Sequence, residues 1–242
     1  WIDERKRDWG ETSPLYQARV LGEFPQETEN TLIALAWLEK SAQEGAKDAL
    51  QATRGAGTGR LYLGVDVARF GGDESVFLVR DDAGVIHVEN YQGLSTMETC
   101  GRTRQIATRF AVAPENIFVD DTGVGSGVTD RLKELGLKVT PVILGAGADD
   151  KEHFLNVRAE VFWKVREALN PHTGNLAIAK TFGKLHAQLS DIRFEYTSRG
   201  QVKIEAKEDI RARAGRSCDW ADALALTFAK SQDNSQPRIW VV

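Results

Sequence analysis

Five aspartates, Asp66, Asp120, Asp121, Asp219 and Asp222, have the type and spacing to do chemistry in this chain. Asp66 lies in the apolar run LYLGVDVA at 61–68. Strand alternation points Leu61, Leu63, Val65 and Val67 one way, and Tyr62, Gly64, Asp66 and Ala68 the other. A charge in a central strand is costly unless it is paired or bound to metal. The plainer alternative is an Asp bonded to nearby backbone or paired with an arginine. Asp120 and Asp121 close the short run IFVDD. Ligands gather at the carboxyl ends of parallel strands. Alternation turns only one of the two toward such a site, and Asp120 is favoured, with Asp121 accessory. Either also suits the turn at Thr122-Gly123. Asp219 and Asp222 are three apart in a helical stretch and share a face. With Ser217 as N-cap, Asp219 also fits a dipole-stabilising place in the first turn. Asp222, a turn deeper amid ADALALTFA, is harder to explain that way.

Acids from a first strand, a later strand and a last helix suit hard divalent cations such as Mg²⁺, which take oxygen ligands and keep several waters. Two such ions about 4 Å apart activate a water and stabilise the leaving oxygen of a phosphodiester. That chemistry needs no serine, cysteine or histidine nucleophile, and the chain has only four histidines. Arg69, Lys207, Arg211, Arg213 and Arg216 flank the acids in sequence and are candidate phosphate contacts, or else a solvated basic surface. Asp73, after Gly71-Gly72, reads as a turn residue. No P-loop is present: the one Gly-Lys pair, Gly183-Lys184, is followed by Leu185. Gly123 and Gly125 begin a dinucleotide fingerprint, but Val128 stands in the third glycine's place. Ser126 lacks the glycines of a nucleophile elbow.

The elements that must position these acids are legible in outline. LYLGVDVA, ESVFLVRDD and VIHVENYQ read as three strands, with a hairpin turn at Ala83-Gly84. METCGRTRQIATRFA reads as a helix, NIFVDD as a strand, VTDRLKELG as a helix closed by Gly136, and KVTPVIL as a strand. Strand–helix–strand–helix–strand implies parallel pairing in an α/β sheet. Residues 155–170 form an amphipathic helix, and 181–192 a further one. RFEYTSRGQVKIEA is an added β-hairpin turning at Ser198-Arg199-Gly200. The basic segment KEDIRARAGR leads into a last helix, SCDWADALALTFAK. Three antiparallel strands followed by parallel units give the ribonuclease H-like order, a mixed β-sheet flanked by helices.

Residues 1–55 read as a linker region: irregular to Pro25, then the helical TLIALAWLEKSAQEG with Gly45 as a stop, then the joint GAGTG. Residues 56–232 form the domain proper, and 233–242 a polar, loose tail. The chain has 242 residues, 42% hydrophobic and 27% charged, enough for one good-sized core. It starts at Trp1 and its one methionine is Met97, as a piece of a longer polypeptide would. The opening shows no signal peptide, and no apolar run approaches a membrane span. A net charge of −4 speaks against coating nucleic acid by bulk charge, but not against a local basic grip. Cys100 and Cys218 are unpatterned, which fits a reduced cytosolic setting and no zinc site.

LGVDVARFGGDESV, FVDDTGVGSGVTDRL and KEDIRARAGRSCDWADALAL, in that order, resemble the nuclease domain of the large terminase subunits of tailed bacteriophages. WGETSPLYQARVLGEFP resembles the stretch that joins the upstream ATPase domain to that nuclease. The resemblance implies a ribonuclease H-like fold and cleavage of concatemeric double-stranded DNA with two Mg²⁺ or Mn²⁺ ions. Asp66, Asp120 and Asp222 match the family's three acids, whereas Asp219 falls where the family varies. Implied partners are double-stranded DNA, an ATPase domain of the same polypeptide, the small terminase subunit and the portal protein. The implied place is the cytoplasm of the infected host cell, and transiently the procapsid portal, with no membrane. Two other readings are another ribonuclease H-like nuclease, such as a junction resolvase, and a non-cleaving module that binds DNA or docks on the portal.

Overall fold

The computed structural model describes residues 1–23, 30–42, 59–68 and 74–230. The joint at 55–58, Gly45, Arg69, Asp73 and the tail 233–242 lie outside the described residues.

The chain opens with helix α1 (Ile2–Trp9), a short α2 (Pro14–Tyr16) running into π-helical Gln17–Leu21, and α3, described over 35–42. Then come β1 (Tyr62–Asp66), β2 (Glu74–Arg80), β3 (Val85–Gln92), α4 (Thr96–Phe110), β4 (Ile117–Asp120), α5 (Gly125–Glu134) and β5 (Thr140–Val142). The remainder is α6 (Val157–Ala168), α7 (Gly183–Asp191), β6 (Phe194–Tyr196), β7 (Val202–Ile204), α8 (Lys207–Ala214) and α9 (Asp219–Leu226).

The main sheet has the order β3-β2-β1-β4-β5. β1 pairs antiparallel with β2 and β2 with β3, whereas β4 runs parallel to β1 and β5 to β4. This is the mixed sheet that the strand–helix pattern implies. β6 and β7 form the separate hairpin, turning at Gly200 with φ 78°. Alternation along β1 separates two cores. Leu63 and Val65 join Phe77, Val79, Ile117 and Val119 on the α4–α5 side. On the other side, Val76, Leu78 and Phe118 pack with α6, α7 and α9. α9 is buried nearly throughout, because ADALAL has no polar face to show to water.

One expectation needs correction. The opening segment is not irregular: IDERKRDW forms α1, with Asp3 and Glu4 in its first turn and Lys6 and Arg7 in its last, the arrangement the helix dipole favours. It buries no residue, so no apolar period marks it in sequence. The basic segment KEDIRARA is likewise a helix, α8, of which Ile210 alone is buried. The lead-in also packs into the body. Leu32, Ile33 and Leu38 belong to the main core, and the Leu32 amide donates to Ile192 O at 2.9 Å.

Arg80, at the end of β2, clamps the far end of α9. Its guanidinium donates to Thr227 Oγ1 at 2.6 Å and to Thr227 O at 2.9 Å, between the rings of Tyr62 and Phe228 at 4.2 and 4.1 Å. Burial pushes Arg80 down to about 10, so it stays charged at neutral pH. It caps carbonyl groups where the dipole is negative. Replacing it with Met keeps bulk but leaves the Thr227 groups without a donor. The expected loss is about 2–3 kcal/mol in urea unfolding; a loss under half a kcal/mol would show that the clamp does not hold α9.

Candidate metal centre

β1 and β4 are parallel, so Asp66 and Asp120 end their strands at the same edge of the sheet. The first turn of α9 brings Asp219 and Asp222 to that edge. Two glycines allow this close approach. A Cβ on Gly64 would stand 1.9 Å from the carbonyl oxygen of Ala223, so only glycine lets α9 lie flat on β1. A Cβ on Gly125 would stand 1.6 Å from Asp120 O, so α5 starts tight against the end of β4.

Asp66, Asp219 and Asp222 each offer a carboxylate oxygen, and the three oxygens lie within 4.8 Å of one another. All three residues are buried. Lys207, from α8, places its Nζ among them, 3.1 Å from Asp66 Oδ2, 2.8 Å from Asp219 Oδ1 and 3.4 Å from Asp222 Oδ2. Asp222 Oδ1 accepts from Arg158 Nη1 at 2.5 Å, and its Oδ2 accepts from the Cys218 thiol at 3.3 Å. Asp219 Oδ2 accepts from the Glu74 amide at 3.3 Å, and its Oδ1 accepts from Ser217 Oγ.

The carboxyls are not alike. Burial lifts Asp66 well above the ordinary carboxylate range; Lys207 offsets this only in part, while Asp222, Asp219 and Asp120 add repulsion. For Asp222, burial acts upward, but Arg158 and Lys207 outweigh it and hold the group below its usual value. Burial also raises Asp120, against the Thr122 amide that donates to its Oδ1 at 3.0 Å. Burial alone would lower Lys207, but the three acids hold its ammonium strongly protonated. Arg158 behaves likewise, raised by Asp222 against the effect of its burial.

The placement differs from the sequence reading in several respects. Asp219, held as accessory, stands inside the cluster, whereas Asp120 lies beside it, outside the three-residue group yet close enough to repel Asp66 and Asp222. Asp121 is outside the three-residue group, and its Oδ1 is shielded with no hydrogen-bond partner among the described residues. Ser217 is not the N-cap of α9. Cys218 holds that place, and Ser217 bonds Asp219 instead. Lys207, expected at DNA phosphates, occupies the middle of the acids. Arg213 is tied to Asp191 and Glu205, and Arg216 to Asp191, so neither stands open for a phosphate. Arg211 is exposed. Arg158 was missed altogether. Its only signal was a charge at the start of an otherwise apolar helix face, and the pairing with Asp222 spans 64 residues.

A buried set of three carboxylates around one ammonium fits a divalent cation by donor type and charge. With Lys207→Ala the acids lose their internal counter-charge. Without metal that variant is expected to lose about 3 kcal/mol. It should also show a larger rise in melting temperature on adding Mn²⁺ than the parent chain does. Equal rises in the two proteins would mean that Lys207 and the ion do not share the site.

No protein-family model matches the chain. A curated relative, the probable terminase large subunit of Enterobacteria phage P7, is 27% identical over 218 residues, which covers 84% of this chain and 42% of that protein. The nuclease domain of the large terminase subunit gp2 of bacterial virus Sf6 superposes with a TM-score of 0.69 at 19% identity, over 83% of this chain and 99% of that one. The large terminase nuclease from thermophilic phage G20c, solved with bound magnesium, gives a TM-score of 0.53 at 18% identity, over 72% of this chain and 82% of that one. In sequence the chain resembles a phage terminase large subunit, and in fold it resembles the nuclease domains of large terminase subunits.

Proposed function

We propose that the chain is a metal-dependent endonuclease that cuts double-stranded, concatemeric viral DNA during genome packaging. The observation that carries this reading is the buried cluster of Asp66, Asp219 and Asp222 around a single ammonium at the carboxyl edge of the sheet. A pure binding surface has no use for such acids, which repel a phosphate backbone unless a cation lies between. Asp66 and Asp222 are the proposed catalytic metal ligands, with Asp219 completing the set and Asp120 at its margin. Asp121, next to Asp120, is the proposed accessory residue.

Two Mg²⁺ or Mn²⁺ ions would supply an activated water and stabilise the departing oxygen of the phosphodiester. The chain's own groups do the rest. Arg158 holds one oxygen of Asp222 and so fixes which oxygen faces the site. The Glu74 amide orients Asp219 in the same manner. Lys207 keeps the acids compatible with burial before loading. Arg211, exposed on α8, is a proposed phosphate contact.

Residues 1–55 would then link to an ATPase domain of the same polypeptide, 56–232 would form the nuclease, and 233–242 would be a tail. The small terminase subunit and the portal protein are the proposed partners, in the cytoplasm of the infected host cell and at the procapsid. The test is supercoiled plasmid incubated with the chain in EDTA, Mg²⁺ or Mn²⁺. Nicked and linear products with either ion and none in EDTA are expected. Intact plasmid with both ions, while a gel shift still reports DNA binding, would favour the docking module instead.

A further inference from the structure

A cavity of about 550 Å³ opens beside the acid cluster, between α1, the start of β2 and the N-terminal end of α7. Trp1, Trp9 and Trp220 line it, half of the six tryptophans in the chain. Trp9 and Trp220 pack against core residues on one side and reach this hollow on the other. The indole N–H groups of Trp9 and Trp220 are shielded and have no hydrogen-bond partner among the described residues. Trp9 Nε1 lies against Gly183, so what the hollow is offered is the rings of the three tryptophans.

Charge is arranged to match. Lys184 lies 5.5 Å above the Trp220 ring and pairs with Glu74. Lys180 also lines the hollow and is exposed, with no ion pair among the described residues. The cavity adjoins the acids directly. Glu74, in its wall, donates its amide to Asp219, and Trp220 is the next residue after Asp219.

Three indole rings, with Arg5 over one side of Trp9 at 5.1 Å, and the exposed ammonium of Lys180 suit one ligand class. Bases stack on indoles whatever their sequence, and lysines take the phosphate. Only an unstacked base can reach an indole face. The volume lies within the range of small-ligand pockets. We infer that this pocket binds an unpaired nucleotide of the DNA strand that passes the acid cluster. The role of the pocket rests on the nuclease reading; binding itself does not.

The test is tryptophan fluorescence in EDTA at low salt, titrating a short oligothymidylate, a blunt duplex and thymidine monophosphate. Saturable quenching by the oligonucleotide, stronger than by the duplex, is expected. Lys180→Glu, at an exposed and unpaired position, should weaken it about tenfold with unchanged melting. Trp9→Phe should reduce the amplitude. No quenching by the oligonucleotide, quenching by the monophosphate alone, or equal affinity in Lys180→Glu would overturn the inference. Plasmid cleavage by the same preparations separates the two ideas. Cleavage without quenching removes only the pocket, and quenching without cleavage removes only the nuclease.

Discussion

Asp66→Asn is expected to abolish metal-dependent plasmid cleavage while leaving the metal-free protein at least as stable as the parent. The two outcomes come from one cause. Asp66 is buried beside Asp219 and Asp222, and its carboxyl titrates well above the ordinary range. A carboxyl whose folded pKa is raised costs stability above that pKa and returns it as the pH falls through it. Asparagine mimics the neutral form, so at neutral pH without metal the substitution removes a cost. With metal the sign reverses, because the ion needs the ionised oxygen. The fall in cleavage should exceed the roughly 10–100-fold that accompanies loss of a ligand's supporting partner. Metal affinity of the parent chain should rise with pH across the range where Asp66 titrates, with a proton released on loading. Melting curves, Mn²⁺ titrations at two pH values and plasmid gels check the three statements. A variant that cuts as fast as the parent removes Asp66 from the chemistry.

Gly64→Ala is expected to be among the most damaging single methyl additions in the described residues. The new Cβ would meet the Ala223 carbonyl oxygen at 1.9 Å, its carbon at 3.0 Å and Thr227 Cγ2 at 3.0 Å. Backbone atoms cannot rotate aside, so α9 must lift from β1. Overpacking of this severity costs about 3 kcal/mol or more, which lowers the melting temperature by roughly 6–12 °C. Lifting α9 also carries Asp219 and Asp222 away from Asp66, so the folded fraction should bind Mn²⁺ more weakly too. Gly101→Ala is the control. Gly101 is exposed within α4 and a Cβ there meets nothing within 4 Å, so that variant should gain up to about 1 kcal/mol. Equal melting of the two variants would remove the close approach as an explanation.

Local signals made much of this legible. Alternation around Gly64 and Asp66 assigned the faces of β1, and the α4 and α5 periods demanded crossovers, so the parallel pairing of β1 with β4 followed. The hairpin turn was marked by Gly200. What sequence did not carry was partnership at long range. Lys207 reads as one more basic residue in KEDIRARAGR until α8 folds across the acids 141 residues from Asp66. Arg213 and Arg216 look like the same basic surface, yet Asp191 claims both. Asp219 looked like a helix-start acid, which it also is; only the meeting of α9 with β1 makes it part of the cluster.

The ammonium of Lys207 has a consequence for the life history of such a protein. Zinc fingers fold only when their ion arrives. Here three acids can be buried at the ribosome's exit with no ion at hand, because the chain brings its own placeholder cation. Folding and arming become separate events. If the proposed nuclease reading holds, the chain would be a finished but blunt tool until ions displaced one lysine, and stripping the ions should blunt it again without unmaking it.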